Sequence, residues 1–330
     1  MSLIKKANEL NIQSKIKALI YGQPGTGKTT LALSSPKPLL FDFDNGVHRV
    51  NFAHLNGVDT VQVSSYQDFL DVLEKEDLTP YETLVIDTGG KCLDFMGDYI
   101  IKRNSKMGKA NGTLTLQGYG ERKAEFSALN RKISSIDKHV IYVAHRETKS
   151  EGDDTRYIPQ FGGSNYDSLV TELDLVGYLE ANGRDRVITF DPTSRNDGKN
   201  TCNLPSSIKV PVTVNETGVV VGKNNFFAEF VMKSYAKRLE VRQELINKYD
   251  ALMKELEHEI VLIHDADSAN DFVGRIDAFE HIGNSKAASG QLLSGHVKKL
   301  GLSFDKDAKK YIAPAPPVAE NTAKTQNSLV

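Results

Sequence analysis

Residues 22–29 read Gly-Gln-Pro-Gly-Thr-Gly-Lys-Thr, the spacing G-x-x-x-x-G-K-[ST]. Its chemistry is phosphate capture. Gly22, Gly25 and Gly27 leave room for backbone N–H groups to close around phosphate oxygens, with Gln23, Pro24, Thr26 and Thr30 completing the loop and its exit. Lys28 offers a cation to the β- and γ-oxygens of a nucleoside triphosphate, and the Thr29 hydroxyl offers an oxygen to Mg²⁺. Three further groups complete a candidate centre for hydrolysis. Asp87 follows the apolar run Leu84-Val85-Ile86, the position of an acid that holds Mg²⁺ at a strand end. Asp42 and Asp44 end another apolar run. One of the two is expected to enter the site; Asp44 is expected to orient or deprotonate the attacking water. His145 closes a further run, where a polar side chain can bond the γ-phosphate and register its loss.

These residues need a scaffold that brings strand ends together. Residues 16–21 (IKALIY), 38–43, 58–63, 83–86 and 140–144 are short apolar or alternating runs, each read as a strand. Ser65, with Asp68 three residues on, starts a helix carrying Phe69, Val72 and Leu73. Phe126, Leu129, Ile133 and Ile136 share one helical face before the fifth strand. Uninterrupted apolar strands alternating with helices predict an α/β fold with a mainly parallel sheet covered on both faces. After Leu173 the pattern changes to strands joined through Asn182-Gly183, then a hairpin around residues 215–218. Residues 226–264 keep a helical period for longer than one helix of a compact domain usually runs, which predicts a break or a coiled pairing. A shorter helix follows around Phe272, Ile276 and Phe279. The expected organisation is a core over residues 1–205, a hairpin and helical region over 206–312, and a disordered tail over 313–330.

The succession GQPGTGKTT, LLFDFDNG, TLVIDTGG and VIYVAHRE resembles the RecA-type P-loop NTPase core. It is most similar to phage-encoded ATP-binding proteins with a shortened core that act in single-strand annealing and recombination. Residues 116–122 (LQGYGER) and 161–165 (FGGSN) share that resemblance, which spans roughly residues 14–205. It implies an ATPase using ATP and Mg²⁺ through Lys28, Thr29 and Asp87. It also implies single-stranded DNA as partner, assembly into a ring or filament of like subunits, and cooperation with a single-strand-binding protein. Asp44 falls where RecA-type enzymes carry a catalytic glutamate, and His145 where RecA has a glutamine. Residues 101–117 and 147–165 fall where such proteins place flexible DNA-binding loops. The first carries Lys102, Arg103, Lys106 and Lys109 without an acid, a set suited to phosphate contacts; the second is mixed in charge. By the same resemblance Arg195 or Lys199 would complete a neighbouring subunit's site. Two other classes share the phosphate loop: a small-molecule or nucleotide kinase, and a non-catalytic loader or assembly scaffold.

Composition fits this reading and narrows it. The 330 residues carry 41 basic and 43 acidic side chains, a net charge of -2, so a DNA grip has to come from a local basic patch. No apolar run reaches the roughly 20 residues of a membrane helix, and residues 1–10 lack a signal-peptide core. Cys92 and Cys202 stand far apart, suggesting neither a disulfide framework nor a zinc site. The expectation is a cytoplasmic protein without a membrane partner.

Overall fold

The structure is a computed structural model and describes residues 14–151, 154–162 and 164–313. The tail expected to be disordered lies, from residue 314, outside the described residues. In chain order the elements are β1 (Lys17–Gly22), α1 (Lys28–Ala32), β2 (Pro38–Asp42), α2 (Phe52–Leu55), β3 (Asp59–Gln62), α3 (Tyr66–Lys75), β4 (Thr83–Asp87) and α4 (Gly89–Arg103). Next come α5 (Leu116–Ser135), β5 (His139–Glu151), β6 (Asp154–Pro159), α6 (Ser164–Glu172), β7 (Leu175–Asn182), β8 (Asp185–Thr189), β9 (Lys199–Asn200) and β10 (Ser207–Val210). The chain ends with α7 (Lys233–Val261), α8 (Ala266–Arg275), α9 (Ser285–Lys299), β11 (Ser303–Asp305) and β12 (Lys310–Ile312).

The main sheet runs β10-β8-β7-β1-β5-β4-β2-β3. Strands β7, β1, β5, β4, β2 and β3 are parallel, and the antiparallel hairpin of β7 and β8 carries the sheet on to β10. This is the mainly parallel, helix-flanked architecture that the alternation of apolar strands and helices predicts. Side chains alternate across it as the pleat requires. Leu19, Tyr21, Phe41, Ile86 and Tyr142 join one core, with Phe69 of α3, Met96 of α4, Phe126 of α5 and Leu169 of α6. Ala18, Ile20, Leu40, Val85 and Ile141 join the other, with Leu31 of α1 and Phe227. Ser65 caps α3 in the expected capping box with Asp68.

The chain divides into compact units at residues 239 and 240, so the boundary expected at residue 205 falls inside the first unit. The reason is packing. β10 pairs with β8, and Phe226, Phe227 and Val231 are buried in the core beside β1. The expected break in the long helical stretch is instead a π-helical turn, Phe227–Met232, after which α7 runs on. The second unit has its own core of Leu252, Leu256, Ile260, Phe272, Leu293 and Val297, closed by the β11–β12 hairpin. Among the described residues no helix is long and apolar enough to cross a membrane.

Candidate functional site

Register assembles the site. β1 lies beside β5 with Gly22 opposite His145, and β2 beside β4 with Asp42 opposite Asp87. The ends of the phosphate-loop strand and of both acid-bearing strands therefore lie along one sheet edge with His145 of β5, where open α/β sheets bind ligands. Gly22 cannot be replaced without moving a strand, because a Cβ there would stand 2.3 Å from the Leu179 carbonyl oxygen. Gly27 precedes α1 with φ 91, a left-handed conformation natural to glycine. α1 has only 5 residues. The dipole of so short a helix adds little to the anion site, and loop N–H groups and Lys28 are left as its main donors.

Lys28 is buried, and its Nζ donates to the Gln23 carbonyl at 2.8 Å. Burial pushes its ammonium down to about 8, against the opposing pull of the Asp87 and Asp44 charges. Thr29 Oγ1 donates to Asp87 Oδ2 at 2.5 Å. Burial, aided by the neighbouring Asp44 and Asp42 charges, holds the Asp87 carboxyl up at about 6, although the Thr29 hydrogen bond and Lys28 oppose it. Residues two apart share a face of a strand, and Asp42 and Asp44 both line the cleft, but β2 ends at Asp42 and their hydrogen bonds differ. Asp42 accepts from the Gly46 and Val47 N–H groups, each at 3.0 Å, so it is the acid of a turn. Asp44 Oδ2 lies 3.6 Å from His145 Nε2, and Thr88 Oγ1 donates to its Oδ1 at 3.4 Å. Asp44, Asp87, Lys28, Thr29 and His145 line one open cleft.

That cleft also contains Arg49 and Thr88, and Arg186 of β8 donates from Nε to the Thr26 carbonyl at 2.9 Å. Sequence reasoning missed all three. Thr88 had a local signal, a hydroxyl three residues before Lys91 whose backbone N–H it caps. Arg186 had none, since it meets the loop across 160 positions.

The donor set fits Mg²⁺. A hydroxyl and a carboxylate already in contact, both hard oxygen ligands, are what that ion takes from a protein while retaining most of its water.

Several expected residues lie elsewhere. Residues 101–117 are ordered rather than a flexible loop: α4 continues to Arg103, a 3-10 turn spans Ser105–Met107, and Gly108 bridges Leu114 before α5 begins. Arg103 is already engaged, at 2.6 Å from Glu121 and 3.3 Å from Glu125, with its guanidinium over Tyr99. It is withdrawn from the DNA set. Lys102, Lys106 and Lys109 are exposed and enter no ion pair among the described residues. The second expected loop is a hairpin, because β5 runs on to Glu151 and pairs antiparallel with β6, Arg146 opposite Pro159. Lys199 does not point to a neighbour; its Nζ donates to the Val170 and Thr171 carbonyls at 2.7 and 3.2 Å, closing the end of α6. Arg195 is exposed, with its guanidinium 5.5 Å from the Tyr157 ring centroid, and Arg146 lies 4.0 Å from that centroid.

Residues 14–202 match a protein family described as an AAA domain. No curated protein matches. Among solved structures, the flagellar accessory protein FlaH from Methanocaldococcus jannaschii is 10% identical, with 63% of this chain and 89% of that chain covered and a TM-score of 0.35. A DnaB-like replicative helicase, whose structure was described with its interactions with primase, is 12% identical, with 63% and 57% covered and a TM-score of 0.39.

Proposed function

Since the chain belongs to the AAA domain family, we propose that it is a magnesium-dependent ATPase that turns ATP over in response to single-stranded DNA, in phage recombination or annealing. The observation that carries the catalytic part is the convergence of Lys28, Thr29, Asp87, Asp44 and His145 on one cleft. The loop N–H groups and Lys28 hold the β- and γ-phosphates. Thr29 and Asp87 would hold Mg²⁺, which when bound neutralises charge on the phosphate oxygens. Asp44 takes the proton of the attacking water, and His145, beside it, bonds the γ-phosphate. Lys102, Lys106 and Lys109 contact the DNA backbone. The working form is a homo-oligomer, ring or filament, and Arg195 remains the cation offered to a neighbour.

The test is ATP turnover with and without single-stranded DNA across a salt series, with Lys28→Ala as control. Turnover that rises with DNA, loses that rise steeply with salt and disappears in Lys28→Ala is the expected result. Nucleotide binding without turnover would turn the protein into a scaffold, and phosphoryl transfer to a nucleoside would turn it into a kinase. Turnover indifferent to DNA at low salt would remove the DNA part alone.

A further inference from the structure

Beyond Asp44, Thr88 and His145 lies a second cleft, which shares those three side chains with the first. Lys91 of α4, Tyr119 and Arg122 of α5, Glu147 of β5 and Gln160 also line it. No residue of the phosphate loop does, so its occupant is separate from the bound nucleotide. Tyr119, Arg122 and Gly162 come from stretches 116–122 and 161–165, which the hydrolytic reading leaves without a task.

Unpartnered polar atoms lie on this lining, at Arg122 and His145, and behind it at Asn165, which is bonded to the lining residue Gly162. Arg122 Nε and His145 Nδ1 are buried without a hydrogen-bond partner, and so is Oδ1 of Asn165. Asn165 is 3% exposed and is anchored by its Nδ2 on the Gly162 carbonyl at 3.1 Å. Each such buried group costs about 1–3 kcal/mol when unsatisfied. Tyr119 adds an open aromatic surface, 47% exposed, with the Arg122 guanidinium 4.9 Å from its ring centroid. Charge excludes a phosphate as the occupant. Lys91 and Arg122 face Asp44, Asp94 and Glu147, and Lys91 is already 3.4 Å from Asp94. A neutral planar group with donors and acceptors on its edge suits this lining, and an unpaired base has that chemistry.

We propose that this cleft receives one base of single-stranded DNA, stacked on Tyr119 and bonded at its edge by Arg122. The proposal rests on the DNA reading above and deepens it. The base abuts His145 and the Thr88–Asp44 pair, which line both clefts, so its arrival reaches the hydrolytic groups directly. Backbone cations hold the strand, and the base signals its presence.

The experiment compares a thymidine oligonucleotide with an abasic strand of the same length, in binding and in ATP turnover, for wild type, Tyr119→Ala and Arg122→Gln. Wild type should bind the base-bearing strand about 5- to 100-fold tighter, the range of one stacked base, and only that strand should stimulate turnover. Tyr119 is exposed, so its replacement leaves folding intact. Tyr119→Ala should lose most of the preference and the stimulation while keeping turnover without DNA and the salt dependence of binding. Equal binding of both strands by wild type, or an undiminished preference in Tyr119→Ala, overturns the base site and leaves the DNA reading standing. Wild type that binds neither strand at low salt overturns both.

Discussion

The Thr29 hydroxyl donates to the Asp87 carboxylate at 2.5 Å across 58 positions of sequence, closing the end of β4 onto the first turn of α1. With Lys28 alongside, this makes the phosphate end of the cleft a group of charges removed from water, and its behaviour with pH follows.

Affinity for MgATP should peak between about 6 and about 8. Asp87 titrates at about 6 and is a magnesium ligand only as the carboxylate, so affinity falls as pH drops through that value. Lys28 titrates at about 8 and attracts phosphate only as the ammonium, so affinity falls as pH rises through that value. The Asp44 charge raises both. Asp44→Asn should therefore move both limbs to lower pH, a shift that titration of the nucleotide itself cannot produce. Binding isotherms across pH for the two proteins check it.

Asp44→Asn should also separate holding from cleaving. The amide keeps the hydrogen bond from Thr88 but cannot accept the proton of water, so turnover should fall by about 10²-fold or more, the scale of a lost general base. Nucleotide binding at neutral pH should survive. A rate within a few-fold of wild type would leave Asp44 as a turn residue.

Lys199 and Arg195 should behave differently although they lie four positions apart. Lys199→Ala strips two α6 carbonyls of their donor and should lower stability by about 1–2 kcal/mol, read from the denaturant midpoint. Arg195→Ala should unfold like wild type. If Arg195 serves a neighbour, mixing it with Lys28→Ala subunits should restore turnover that neither variant has alone. No recovery on mixing removes that role.

The basic segment makes a similar pair. Neutralising Lys102, Lys106 and Lys109 together should reduce the log–log salt slope of single-strand binding by about 2, at roughly 0.7 per lost contact. Arg103→Ala should leave that slope unchanged, since Glu121 and Glu125 already hold its charge.

What the sequence disclosed follows how local each signal is. The phosphate loop, the Ser65 capping box and the apolar strands are written within a few consecutive residues, and each is found where its pattern places it. Asp42 and Asp44 were not separable by alternation, because residues two apart share a face; the turn N–H groups that hold Asp42 distinguish them only in the fold. The partners of Arg103 were not visible, because Glu121 and Glu125 reach it only when α5 folds back along α4. α9 was missed for another reason. Its buried positions are Ser285, Ser289, Leu293 and Val297, two of them small and polar, so its inward face lacks an apolar stripe. The residual surprise at β5 is similar: nothing in the mixed charges after His145 announces that the strand continues.

That continuation has a mechanical consequence. β5 reaches six residues past His145, about 20 Å at strand rise, and antiparallel pairing with β6 stiffens this projection. If His145 bonds the γ-phosphate as proposed, a small rotation on its loss would be amplified at the tip, as a rudder responds to its tiller. On that proposal the unbroken strand, and no hinge, would carry the state of the nucleotide to a distance.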